Sequence, residues 1–264
     1  MIDGAGYDLV LFVGDLAGLR LKGTLAVARV IAQLRTPVLV MPGNHDAPNA
    51  MQLLGEMWGS RALIRLGERG TGPRRDAIAD ALGPGVLAGY SVHDLGSDLQ
   101  MVAARPHSMG GPSLSFAPFL AARYGVASLQ DSADKLIALV DGCTAPNLLF
   151  LGHNGPTGLG DRRDALWGCD FRSEQGDFGD PDLEAAIAHA VGAGRRVVGV
   201  VAGHMHHRLR GGGHRAWRAE QQGTLFVNAA RVPRIWTDRV GVERRHHVAI
   251  RWTDGVLTAQ EEIW

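Results

Sequence analysis

The sequence predicts an α/β protein in which two sheets pack together and helices flank them. Three observations carry this reading. Short apolar runs that stop at glycine alternate with stretches of helical periodicity, the pattern of strands joined by helices. From residue 224 onward the strands lack intervening helices, so part of the sheet system is antiparallel. No Pro/Ser-rich linker divides the 264 residues, so 1–264 is expected to form a single domain.

Residues 9–13 (Leu-Val-Leu-Phe-Val) are β-branched and aromatic and lie between Asp8 and Gly14, which predicts a buried strand. Leu21, Leu25, Ala28, Ile31 and Leu34 recur at spacings of three or four and predict an amphipathic helix, ended by Pro37. Val38–Met41 is a second strand. Residues 48–82 read as mostly helical, with a Gly-rich break near Gly70–Pro73. Leu99–Ala104 predicts a strand, Leu129–Val140 a helix and Asn147–Leu151 a strand. Asp182–Val191 is a helix with Pro181 near its start. Arg196–Ala202 is a further buried strand. Thr224–Asn228, Val248–Trp252 and Leu257–Ile263 close the set, with Asp254-Gly255 as a hairpin turn.

Composition narrows the function classes. The 27 basic and 27 acidic residues cancel, which argues against broad nucleic-acid binding. The balance is uneven: residues 195–251 hold 12 arginines against Glu220, Asp238 and Glu243, a local excess that suggests an anionic ligand or an Arg-rich solvated surface. Cys143 and Cys169 are too few for a disulfide framework, so a reducing cytoplasm is expected. The sequence has no apolar run long enough for a membrane span, and the start, Met-Ile-Asp-Gly-Ala-Gly, has no signal-peptide character.

Four strands end alike. Val10–Val13 leads to Gly14-Asp15, and Val38–Met41 to Pro42-Gly43-Asn44-His45-Asp46. Leu148–Leu151 leads to Gly152-His153-Asn154, and Val197–Ala202 to Gly203-His204-Met205-His206-His207. Ligands of open α/β sheets bind beyond the carboxyl ends of strands, and glycine there permits a sharp turn. The residues after these turns can therefore converge. They supply a carboxylate, an amide oxygen and several imidazoles, a mixed set that suits Mn, Fe, Zn or Co better than Ca. Taken singly, each turn reads as an ordinary Gly-Asp, Gly-His or Asx turn. It is their joint occurrence that points to a site.

In these residues the sequence resembles the calcineurin-like metallophosphoesterase superfamily. That family's pattern is Asp-x-His, then Gly-Asp, Gly-Asn-His-Asp/Glu, Gly-His and Gly-His-x-His. The chain matches the last four elements at Gly14-Asp15, Gly43-Asn44-His45-Asp46, Gly152-His153 and Gly203-His204-Met205-His206. The resemblance implies a four-layer αββα sandwich. It implies a metal-dependent hydrolase of phosphomonoesters or phosphodiesters, with in-line attack by a metal-bound hydroxide on a small phosphoester. Carried over by position, Asp15 would bridge two metals, and Asn44, His153 and His204 would complete the second metal site. His206 would bind the first metal. His45 would protonate the leaving oxygen or steady the phosphoryl group, and Asp46 would hold the His45 ring. Two ions roughly 3.5–4 Å apart can activate a water and clamp the reacting oxygens. The turn sequences differ from those of phosphoprotein phosphatases, which favours a small substrate.

The Asp-x-His element is missing: neither Asp-x-His nor Glu-x-His occurs in this chain. The resemblance therefore implies a sandwich lacking its first strand, either because the gene has decayed or because Met1 is a misassigned start and the true product carries roughly 20–40 more residues. It also sustains a competing reading, a catalytically weak or inactive metal-binding scaffold whose first metal site has only Asp15 and His206. A nuclease is a third reading, favoured only by the basic stretch.

Weaker features remain. Arg105, after the Leu99–Ala104 strand, either reaches a substrate phosphate or lies in a surface loop. The Gly- and Asp-rich residues 158–182 read either as a lid or as a solvated loop. His207, His214, His246 and His247 are expected to be exposed and without function. Trp58, Trp167, Trp217, Trp236 and Trp252 are expected to pack.

Overall fold

The computed structural model describes residues 2–264; Met1 lies outside the described residues. Its strands form three sheets. β1 (Val10–Phe12), β2 (Val38–Val40) and β3 (Val86–Leu87) make a small parallel sheet. The largest sheet has six strands: β4 (Ser91–Asp94), β5 (Leu99–Ala103), β6 (Asn147–Leu151), β7 (Arg196–Ala202), β8 (Arg218–Gln221) and β9 (Thr224–Asn228). Their spatial order is β4-β5-β6-β7-β9-β8, parallel in the middle and antiparallel at both ends. β10 (Ile235–Thr237), β11 (Glu243–Thr253) and β12 (Val256–Ile263) form an antiparallel tail sheet.

Side-chain alternation sorts these strands into layers. On β6, Leu148 and Phe150 face helices α6 (Leu129–Asp141) and α7 (Pro181–Gly192), whose Leu136, Val140, Leu183 and Ala186 fill the same cluster. Leu149 and Leu151 face the other way, against Val13, Leu39, Met41 and Ala259 of the two smaller sheets. Outside β2, Ala28 and Ile31 of α1 (Leu21–Ile31) and Ile78 and Leu82 of α4 (Thr71–Leu82) cover Val38 and Val40. The order is helix, sheet, sheet, helix: the αββα sandwich the sequence implied.

Local chemistry explains most boundaries. Ser128 and Asp131 cap α6 reciprocally. Asp254 (φ 51°) and Gly255 (φ 74°) both take the left-handed region that a tight hairpin between β11 and β12 requires. Residues 48–82 hold three helices, α2 (Ala50–Trp58), α3 (Arg61–Glu68) and α4. Gly59 ends α2 in a left-handed conformation (φ 65°), a stop the periodicity did not reveal. Gly72 and Pro73 fall inside the first turn of α4, where proline's missing N–H has no helical partner to lose. α5 (Ala117–Tyr124) and the short β3, β4, β8 and β10 carry too little pattern to be read from sequence.

Among the described residues no strand takes the place of the first strand implied by the resemblance, and the sandwich is open at that position. Val10 donates to the Pro37 carbonyl and Met41 to the Phe12 carbonyl. The amide edges of Leu9 and Leu11 therefore point away from β2. On the tail sheet, Arg245 and Trp264 exchange both backbone hydrogen bonds, so every second residue of β11, including Val248, Ile250 and Trp252, turns its amide edge away from β12. These two free edges line one slot of about 970 Å³, floored by Leu99, Leu149 and Val201. Tyr7 closes one part of it, its hydroxyl 2.6 Å from His247 Nε2. Among the described residues no helix is long and apolar enough to cross a membrane.

Candidate metal centre

The four glycine-terminated strand ends come together at one rim of the sandwich, two from the small parallel sheet and two from the six-stranded sheet. The Gly14-Asp15 turn needs its glycine. At φ 92°, a Cβ on Gly14 would lie 2.5 Å from Gly43 N and 2.6 Å from His153 Nδ1. Gly43 is equally confined, because a Cβ there would strike Asp15 Oδ1. Asp15 (φ 54°) and His204 (φ 64°) are themselves left-handed, a conformation with a steric cost that concentrates at functional sites.

His153 organises the centre. It is buried, and its Nδ1–H donates to the Val13 carbonyl at 2.6 Å, which leaves Nε2 with a lone pair. That nitrogen lies 3.0 Å from Asn44 Oδ1, 3.6 Å from Asp15 Oδ2 and 3.2 Å from His204 Nδ1. Asn44 Oδ1, a carboxylate oxygen and this nitrogen can only accept, so with no proton between them they repel one another. A cation at their centre converts that repulsion into ligation. Asp15, His153 and His204 each offer a ligand atom within 4.8 Å of the others. Two imidazole nitrogens, a carboxylate and an amide oxygen fit a first-row transition ion.

The electrostatics agree. Burial alone would raise the Asp15 carboxyl; positive charge held among His153, His45 and His204 outweighs it and keeps it below the usual carboxylate range, and with neutral imidazoles a bound ion would supply that charge instead. Burial, reinforced by His153, pushes His204 down to about 3, so its imidazole is neutral and free to bind an ion.

Other expected residues are placed differently. The His45 backbone N–H donates to Asp15 Oδ1 at 2.9 Å, while its half-buried ring lines the pocket over the centre. His206 lines the same pocket but is exposed and stands outside the compact donor cluster. Asp46 does not hold the His45 ring. Its buried carboxylate accepts from the N–H groups of Asp15 (2.9 Å), Leu16 (2.8 Å) and Gly43 (2.7 Å), tying the first two turns together. Burial and the adjacent Asp15 carboxylate push it up to about 7, against the pull of those donors.

Arg105 does not reach the site. It is 1% exposed and forks onto Asp182 (2.8 and 3.1 Å) and Asp180 (2.9 Å), with Ser132 also on Asp182 and Ser108 on Asp180. The pair is structural: it pins the loop after β5 to the start of α7. Part of the 158–182 segment therefore serves as an anchor, while Asp170, Phe171 and Phe178 wall the site pocket of about 1060 Å³. His207 and His246 are buried rather than exposed, bonded to the Asn228 carbonyl (2.7 Å) and Glu261 (2.8 Å). Trp58, expected to pack, is 67% exposed.

Three residues that support the site were not assigned to it from the sequence, although Trp167 packs as expected. His107, in the same loop as Arg105, is buried and 2.7 Å from the Gly43 carbonyl, bracing the Asn44 turn from behind. Trp167 Nε1–H donates to the Gly203 carbonyl at 3.2 Å, behind His204. Arg234 lines the site pocket from the segment before β10. The only sequence signal among them was His107's place in a loop that follows a strand.

Comparisons with known proteins give the lineage. The model of the calcineurin-like phosphoesterase family matches residues 2–208. The crystal structure of TT1561 of Thermus thermophilus is 11% identical over 98% of this chain and 87% of its own, with a TM-score of 0.46. A hypothetical protein from Thermus thermophilus is 13% identical over 97% of this chain and 98% of its own, with a TM-score of 0.39. Another crystal structure matches at 11% identity and a TM-score of 0.46, over 81% of this chain, which spans 65% of that protein's length. No curated protein matches. All four glycine turns fall inside the segment matched by the family model, and the chain belongs to the calcineurin-like phosphoesterase family.

Proposed function

We propose that this protein hydrolyses a small phosphomonoester or phosphodiester with a divalent transition ion, Mn, Fe or Zn, held by Asp15, Asn44, His153 and His204. The observation that carries the reading is the convergence of three obligate acceptors on one point around His153 Nε2. A bound ion would acidify a water and offset charge on the phosphoryl oxygens. The chain's own groups do the rest. The Val13 carbonyl and Asp46 fix the ligand turns. His45, whose ring has no hydrogen-bond partner among the described residues, faces the pocket and supplies a proton to the leaving oxygen.

The test combines elemental analysis with a panel of chromogenic phosphomono- and diesters. Wild-type protein should carry metal and turn over at least one ester, and His204→Ala should lose both. Unchanged metal content in that variant places the ion elsewhere. A second reading, the inactive metal-binding scaffold, draws on His206 standing outside the donor cluster. It predicts bound metal with no turnover across the panel.

A further inference from the structure

Residues 195–251 hold 12 arginines, and most are accounted for by partners. Arg195, Arg196 and Arg218 donate to backbone carbonyls. Arg215 is buried on the carbonyls of Ala165, Gly168 and His206. Arg231, Arg244 and Arg245 pair with Glu261, Asp238 and Glu243. Arg208, Arg210, Arg239 and Arg251 are exposed, so water satisfies them. Arg234 alone is withdrawn from water without a hydrogen-bonding or acidic partner for its guanidinium among the described residues.

We propose that Arg234 is the residue that grips the substrate's phosphoryl oxygens, contributed by the tail and lying beyond the segment the family model covers. This rests on the phosphoesterase reading above. Arg234 lines the pocket together with Asp15, His45, His204 and His206. Its backbone is fixed, because its carbonyl accepts the His246 N–H of β11 at 2.9 Å. Burial lowers the guanidinium's pKa, and Asp15 is the group that opposes this, so the cation sits within the field of the metal-site carboxylate without pairing to it. A half-buried cation with no acid is costly unless an anion completes it. A guanidinium presents a planar fork that matches two oxygens of a phosphoryl group. The tail sheet thus has a chemical task as well as a structural one.

The experiment uses metal-loaded full-length protein, with inorganic phosphate as the binding probe and p-nitrophenyl phosphate as the substrate. Arg234→Gln should weaken phosphate binding and raise KM by about 10- to 100-fold, with metal content and melting temperature unchanged. Arg234→Lys should recover only part, because an ammonium cannot reproduce the two-pronged contact. A lowered melting temperature with phosphate binding intact would make Arg234 structural and overturn the assignment. Wild-type protein that binds phosphate and turns over, with Arg234→Gln matching it, removes the arginine and spares the phosphoesterase reading. Wild-type protein that does neither removes both.

Discussion

Replacing Asp46 with alanine strips the acceptor from three backbone N–H groups at once, those of Asp15, Leu16 and Gly43. Asp46 is 1% exposed, so no water is positioned to replace the carboxylate. A buried donor left unpaired costs about 1–3 kcal/mol. Only the Gly43 contact is fully buried, so the lower end applies to the other two, and the hydrogen-bond loss is about 3–5 kcal/mol, an upper bound because removing a buried carboxylate beside Asp15 relieves part of it. That is a large part of a typical stability of about 5–15 kcal/mol. It corresponds to a fall of roughly 10 °C in Tm for a chain of this size. Asp46→Asn keeps one acceptor oxygen. Aimed at Asp15 and Gly43, it saves two bonds and sets its amide against Leu16, for a loss of about 1–3 kcal/mol. Metal-free protein is compared by urea and thermal melts, followed by zinc titration. Both variants should bind zinc more weakly, because the two ligand turns lose their common tie. Asp46→Asn as damaging as Asp46→Ala, two variants that remove the same charge and differ only in the kept acceptor, would refute the accounting.

Gly14→Ala should abolish zinc binding while leaving most of the secondary structure by circular dichroism, because its Cβ would crowd Gly43 N and His153 Nδ1; wild-type zinc affinity would show that the turn can relax. His45→Ala should keep its metal and lose roughly 10²–10⁴-fold in turnover, most for esters with poor leaving groups; an equal loss across leaving groups would argue against proton donation. Burial pushes His107 down to about 4, so the unfolded chain takes up its proton first as pH falls. The His107 contribution is therefore intact above about 6.5 and is lost progressively toward pH 4, by roughly 3 kcal/mol in total; urea melts of wild type and His107→Gln across that range should differ in slope, and parallel curves would count against it.

The strand ends were legible because each combines two independent signals, an apolar run and a glycine followed by a ligand-type residue. Gly14, Gly43, Gly152 and Gly203 mark the places where the chain must turn sharply to bring Asp15, Asn44, His153 and His204 together. Arg105 misled because it carries the right chemistry after a strand, while its true partners, Asp180 and Asp182, lie some 75 residues away and no local pattern joins them. His107, two residues on, was the one that touched the site. Arg234 sits in irregular chain between β9 and β10, where no periodicity indicates which way a side chain points. His207 and His246 read as surface polar residues because burial depends on the cross-sheet packing of the tail.

The open slot beside β1 also bears on how the molecule behaves in company. Leu9 and Leu11 on one wall, and Val248, Ile250 and Trp252 on the other, offer unpaired amide edges above an apolar floor. Bare strand edges of this kind recruit other strands. Concentrated samples should therefore self-associate into β-rich assemblies, at a rate that climbs with protein concentration.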